Sequence, residues 1–171
     1  MSTKIEWCSE TINPIQDARK GKSGRGYHCT KVSPGCLNCY AERINKIRGN
    51  SLPFDSSPCE FELIESELNK LFKWKKPRSV FVQSMGDLFH ENISRIDREE
   101  IFIAMDENDR HTYLLLTKRP ERMAEFLDWD PWIESIWPNF YLGLTVCNQQ
   151  EADEKIPVFL KVPGEIGRAH V

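Results

Sequence analysis

The chain has 171 residues, 40% of them apolar and 29% charged, with a net charge of −3. That balance describes a folded chain with room for one sizeable core and excludes a disordered one. The acidic total excludes a global electrostatic footprint for nucleic acid and leaves room for a local basic patch.

No apolar run approaches the ~18 residues of a membrane span. The opening Met1 to Glu6 lacks the apolar stretch of a signal peptide. A cytoplasmic protein without a membrane partner is expected. Its six cysteines are then expected as thiols or metal ligands rather than disulfides.

In chain order, Ile5 to Ile12 predicts a first strand, and Asn38 to Arg48 a helix that starts at a cysteine loop. Between them, the basic, glycine-rich run Ala18 to Gly26 lacks the full phosphate-loop pattern and predicts a flexible, solvated loop. Glu60 to Phe72 carries Leu63, Ile64, Leu68, Leu71 and Phe72 on one helical face. Ser79 to Ser84, Thr112 to Thr117 and Phe140 to Val146 are β-branched, aromatic or leucine-rich runs that predict buried strands. Helices are predicted over Asp97 to Asn108 and Glu121 to Leu127, and Asn148 is a natural N-cap for a further one. Pro53, Pro58 and Pro77 punctuate the connections.

Strand and helix in alternation, with strand ends about thirty residues apart, predict an α/β fold of mostly parallel strands: a partial (β/α) barrel in a single domain over residues 1–164. The tail Glu165 to Val171 reads as the translation of a sequencing adapter, GAG ATC GGA AGA GCA CAC GTC. The natural protein is therefore expected to continue past Gly164, His170 is no site candidate, and the incomplete sheet is expected to leave an unpaired edge prone to association.

In such folds function gathers at the carboxyl ends of the strands. Four polar features meet there: the cysteine loop, Ser84 to Glu91, Thr117 to Arg122, and Thr145 to Gln149. Cys29, Cys36 and Cys39 form C-x6-C-x2-C with a Ser-Pro-Gly turn before the second cysteine. Three converging thiolates suit soft iron or zinc, and three protein ligands leave one metal position open. The zinc alternative is a structural site completed by a histidine, for which His90 suits better than His28, the neighbour of Cys29.

Asp87 and His90 are candidates for contact with substrate or cofactor, with a simple turn as the alternative. Lys118 and Arg119 would bind a carboxylate or phosphate. Cations before a helix N-terminus call for something anionic beside them. Thr145 and Asn148 are weaker candidates. Cys8, Cys59 and Cys147 stand alone, and Trp7, Trp74, Trp129, Trp132 and Trp137 are expected as packing residues.

Five motifs occur together: Asn13-Pro14, the cysteine motif continuing into Tyr40-Ala41-Glu42, Trp74 to Arg78, Ser84 to His90, and Leu116 to Met123. In that order they resemble the phage gene product 37/gene product 68 family, from Ile5 to about Pro163. That family is known mainly as a domain of unknown function, and its members are usually longer. Its three-cysteine motif is similar to that of the radical S-adenosylmethionine enzymes, although their usual spacing is C-x3-C-x2-C.

The resemblance implies a [4Fe–4S] cluster on Cys29, Cys36 and Cys39, with S-adenosylmethionine at the open iron. It further implies Asp87, Lys118 and Arg119 as residues that position the cofactor or an anionic substrate. A small-molecule or nucleotide substrate, or a nucleic acid, is then expected to be modified. The alternative is a non-enzymatic zinc module that binds nucleic acid or a protein partner.

Overall fold

The computed structural model describes residues 5–21, 24–55, 59–128, 137–162 and 166–170. Its strands are β1 (Glu10–Ile12), β2 (Ile15–Gly21), β3 (Gly24–Gly26), β4 (Phe61–Leu63), β5 (Ser79–Val82), β6 (Thr112–Thr117), β7 (Phe140–Thr145) and β8 (Ile166–His170). The helices are α1 (Tyr40–Arg48), α2 (Glu65–Lys73), α3 (Arg95–Asp106), α4 (Pro120–Asp128) and α5 (Gln149–Phe159).

The apolar runs form a parallel sheet in the order β1-β5-β6-β7-β8, every neighbouring pair parallel. Each new strand is added on the same side of the last. Connections of this kind are right-handed, which carries the helices to one face. That face is the core: Val80, Val82, Tyr113, Leu115, Leu142 and Leu144 pack in one cluster with Leu71, Ile101, Phe102, Met123 and Phe126. Period-two alternation sends Phe81, Leu116 and Thr145 to the opposite face, where Trp7 lies 4.8 Å from the Phe81 ring. Among the described residues no ladder joins β1 to β8, so the sheet is open. The fold is mixed α/β.

The helices start where their side chains permit. The Ser94 hydroxyl accepts from the Asp97 amide at 3.0 Å to open α3. Asn148 accepts from the Glu151 amide at 2.8 Å to open α5, which is the cap expected of it.

A second sheet, antiparallel in the order β3-β2-β4, corrects three expectations. The run Ala18 to Gly26 forms β2 and β3, not a free loop; residues 22 and 23 between them lie outside the described residues. The start of the predicted helix at Glu60 is instead strand β4, because Phe61 to Leu63 pair with Asp17 to Ile15. The predicted first strand shrinks to three residues, since the chain leaves the parallel sheet at Asn13-Pro14 to enter β2. The cysteine loop consequently follows β3 rather than β1.

This sheet is attached to α1 by polar groups. Asp17, fully buried, accepts from Arg19 at 2.8–3.1 Å and from Asn50 at 3.0 Å. Asn45 receives the Tyr27 amide and donates to Asn50. A Cβ at Gly21 or Gly26 would overlap the Asn50 backbone, so only glycine permits this approach.

Residues 166–170, expected to be adapter-derived, pair as β8 with β7. Trp129, Trp132, Pro58 and Gly164 lie outside the described residues.

Candidate functional site

Cys29, Cys36 and Cys39 line one cavity of about 420 Å³, together with Asp87, Lys118, Arg119 and Thr145. Phe81 and Leu116, from the face of the parallel sheet turned away from the core cluster, and Trp7 also line it. All four polar features expected at the strand ends, the cysteine loop among them, therefore share a single opening. All six cysteines are free thiols.

The predicted residues divide into two groups. Asp87 and Arg119 form a buried ion pair at 3.1 Å, and both are occupied within the protein. The Asp87 carboxylate accepts from the Thr117 hydroxyl, the Lys118 amide and the Phe89 amide at 2.8–3.1 Å. The anion called for by the cations ahead of α4 is thus supplied by the protein's own Asp87. Arg119 uses Nε on Glu91 at 3.0 Å and Nη2 on the Thr30 hydroxyl at 2.6 Å, while Nη1 also lies 3.8 Å from Cys29 Sγ. Its fork clamps Cys29-Thr30 to the rim. Among the described residues no acidic side chain pairs with the Lys118 ammonium.

His90 is fully buried, with both ring nitrogens engaged. Nδ1 accepts from the Asn92 amide at 3.1 Å, so Nε2 carries the proton and faces the Thr30 hydroxyl at 3.2 Å. Burial and the nearby Arg119 charge pull its pKa down to about 4. His28 Nδ1 faces Arg19 at 3.1 Å. Neither histidine lines the cavity. Burial, with Asp87 nearby, pushes the Cys29 thiol up to about 12.

Among the described residues, no three Cys, His, Asp or Glu side chains gather around a single point. The three cysteines line the cavity as a set without converging. Their chemistry nonetheless fits a soft metal: three free thiols at one opening, no histidine among them, and an arginine beside Cys29 to offset thiolate charge.

Sequence reasoning missed the latch on the far side of the loop. The Glu151 carboxylate on α5 accepts from Ser33 Oγ at 3.0 Å, the Cys147 amide at 3.0 Å, Cys147 Sγ at 2.9 Å and Lys155 at 2.7 Å. These donors hold its pKa down at about 2. Ser33 also opens the 3-10 turn Pro34–Cys36. Cys147, expected to stand alone, touches the loop beside Gly35. The only sequence signal was Glu151 three residues after a capping Asn, an arrangement that does not name Ser33.

The far end of the loop is held by Tyr40, whose hydroxyl donates to the Ser84 carbonyl. Asn13 accepts from the Met85 amide at 2.7 Å and from the Ser84 hydroxyl at 3.2 Å. Gln83, with φ of 60°, turns the chain at the end of β5.

No described helix is long and apolar enough to cross a membrane. A comparison with known protein families matches residues 2–168 to one described as a protein of unknown function (DUF5131). Searches of curated proteins and of solved structures returned no match. With a match that spans the cysteine loop, both sheets and the cavity, this chain belongs to that family of unknown function, DUF5131.

Proposed function

We propose that the cavity is the active site of a radical S-adenosylmethionine-like enzyme of the phage gene product 37/gene product 68 type. Cys29, Cys36 and Cys39 would hold a [4Fe–4S] cluster, and an anionic small molecule or nucleotide would be modified. The observation that carries the reading is that these three free thiols share one cavity with Lys118, at the carboxyl ends of parallel strands. The sequential strand order supports the finer view of the sheet as an arc of a (β/α) barrel, because doubly wound sheets reverse their order.

Such a cluster, when bound and reduced, supplies the electron that cleaves a sulfonium to give a carbon radical. The protein's residues do the rest. Arg119 holds Cys29 in place and offsets negative charge beside it. Lys118 offers an ammonium to a carboxylate or phosphate. Phe81, Leu116 and Trp7 form an apolar wall that keeps water from a reactive intermediate.

The second reading, a non-enzymatic zinc module, needs a fourth ligand. His90 is the better histidine for it, but both its ring nitrogens already have partners within the fold.

Anaerobic reconstitution with iron and sulfide tests the proposal. Visible absorbance with about four irons per chain, lost in the Cys29→Ala/Cys36→Ala/Cys39→Ala variant, is expected. Reductive cleavage of S-adenosylmethionine should accompany it. Stoichiometric zinc uptake with no cofactor cleavage would overturn the proposal in favour of the zinc module.

A further inference from the structure

Helix α1 is inside out. It buries Glu42 and Asn45 and turns Ile44 and Ile47 to solvent. With Tyr40 they form a stripe at helical spacing, and Leu37, in the loop just before α1, is exposed too, Leu37 being 74% and Ile47 71% exposed. Polar residues inside are explained by the antiparallel sheet, which Asn45 binds through the Tyr27 amide and Asn50. Tyr40 is tied to the Ser84 carbonyl through its hydroxyl, whereas Leu37, Ile44 and Ile47 have no such partner among the described residues. The stripe begins at the cavity, which Cys39 and Tyr40 line.

Charge shows what would cover it. Residues 18–48 hold eight of the chain's 23 Lys and Arg but one of its 26 Asp and Glu, a charge of +7 along the sequence against −10 for the rest; Asp17 and Glu62, from outside that run, pair with Arg19 and Arg25. The one acid, Glu42, is buried and shared between Lys31 at 3.0 Å and Lys46 at 3.6 Å. Arg43, Lys46 and Arg48 are exposed beside the stripe. Among the described residues, Arg43 and Arg48 have no acidic partner.

We propose that α1 and the cysteine loop form a docking surface for single-stranded nucleic acid, which leads a nucleotide to the cavity. The cations meet phosphates, and the apolar stripe meets unstacked bases. A duplex hides its base faces, so it offers nothing to Leu37, Tyr40, Ile44 and Ile47. Cations and apolar surface together therefore select the single strand. The inference rests on the enzymatic reading only in assigning the cavity a nucleotide; the surface itself does not depend on a metal.

Fluorescence anisotropy with end-labelled DNA and RNA strands of about 20 nucleotides, and with the matching duplex, tests the proposal. Either single strand should bind more tightly than the duplex, and more weakly as salt rises from about 50 to 200 mM. Arg43→Gln/Lys46→Gln/Arg48→Gln should weaken binding at least about tenfold and flatten the log–log salt slope by about 2. Leu37→Ser/Ile47→Ser should cut the preference for single strands and leave that slope unchanged. Circular dichroism should be the same for all variants, because the altered side chains are exposed.

Equal affinity for the duplex, no binding at low salt, or an unaffected Gln variant would overturn the proposal. So would concentration-dependent sedimentation that the Ser variant abolishes, which would make the stripe a contact between copies. Iron reconstitution and strand binding measured side by side on the unaltered protein separate the two readings. Strand binding in a protein that never loads iron leaves the surface standing and removes the cluster. Iron loading without strand binding does the reverse.

Discussion

The two sheets are stabilised by opposite means. The parallel sheet buries apolar side chains against helices: Phe102 lies between Phe126 and Phe140, with ring centroids 5.2 and 5.8 Å away. The antiparallel sheet is three short strands, two of them glycine-bounded, around a buried polar set of Asp17, Asn45 and Asn50. Dispersion and hydrophobic burial are non-directional and tolerate small rearrangements. A buried carboxylate with directed donors does not, because any missing partner leaves an unpaired group in low dielectric. The cysteine loop is suspended between these two kinds of support.

The largest effect is expected in the apolar half. Phe102→Ala should cost about 3–5 kcal/mol in chemical denaturation, by loss of transfer free energy and a cavity. Asp17→Asn should cost about 1.5–3 kcal/mol with almost no change of shape, since it removes the charge that Arg19 and Asn50 surround. Leu115→Met, a volume-conserving swap in the other sheet, should stay under about 1.5 kcal/mol. If the Asn variant proves no more costly than the Met variant, the contrast between the halves is wrong.

Acid should discriminate further. His90 has a pKa lowered to about 4 from an ordinary 6.5, so it favours the fold while neutral. Its contribution is complete above pH 6.5 and lost as pH falls towards 4. Glu151, lowered from 4.5 to about 2, contributes above pH 4.5 and loses its effect as pH falls towards 2. Melting temperatures across this range should therefore fall in two limbs, and Glu151→Gln should shrink the lower one, to which Asp17, Glu42 and Glu91, also held below the usual carboxylate range, contribute. A single limb unchanged in that variant would dismiss the latch. The smallest effect is expected for Ser33→Ala, about 1 kcal/mol for one half-buried hydrogen bond, with a larger change in hydrogen exchange of Pro34–Cys36 neighbours than in global stability.

This contrast also explains what the sequence could show. Strands β5, β6 and β7 were legible because parallel strands covered by helices are continuous apolar runs, and Thr112–Thr117 matches to the residue. The antiparallel sheet was not, since Arg19, Lys20 and Gly21 have neither periodicity nor β propensity, and β2 exists through Asn50 and Glu60, which are distant in sequence. At the site, residue types and strand ends were enough to bring Cys29, Cys36, Cys39, Asp87, Lys118 and Arg119 to one opening. Which of these are occupied by one another was not legible. Arg119 and Lys118 are adjacent and alike in charge, and the position of Asp87, 32 residues before Arg119, separates the clamp from the cation that has no acidic partner among the described residues.

Gln83 is where the two sheets are sewn together. Its amide donates to Ile12 in the parallel sheet at 2.8 Å, while its side chain both accepts from and donates to Ile15 in the antiparallel one, at 3.1 and 2.8 Å. A primary amide thus imitates the peptide group of a missing strand, from a backbone in the left-handed region that glycine would occupy with less strain. Comfort of the backbone and continuity between the sheets pull this position in opposite directions. Gln83→Gly would relax the first and cut the second, turning one cooperative melting transition into two, with the cysteine loop released in the earlier one.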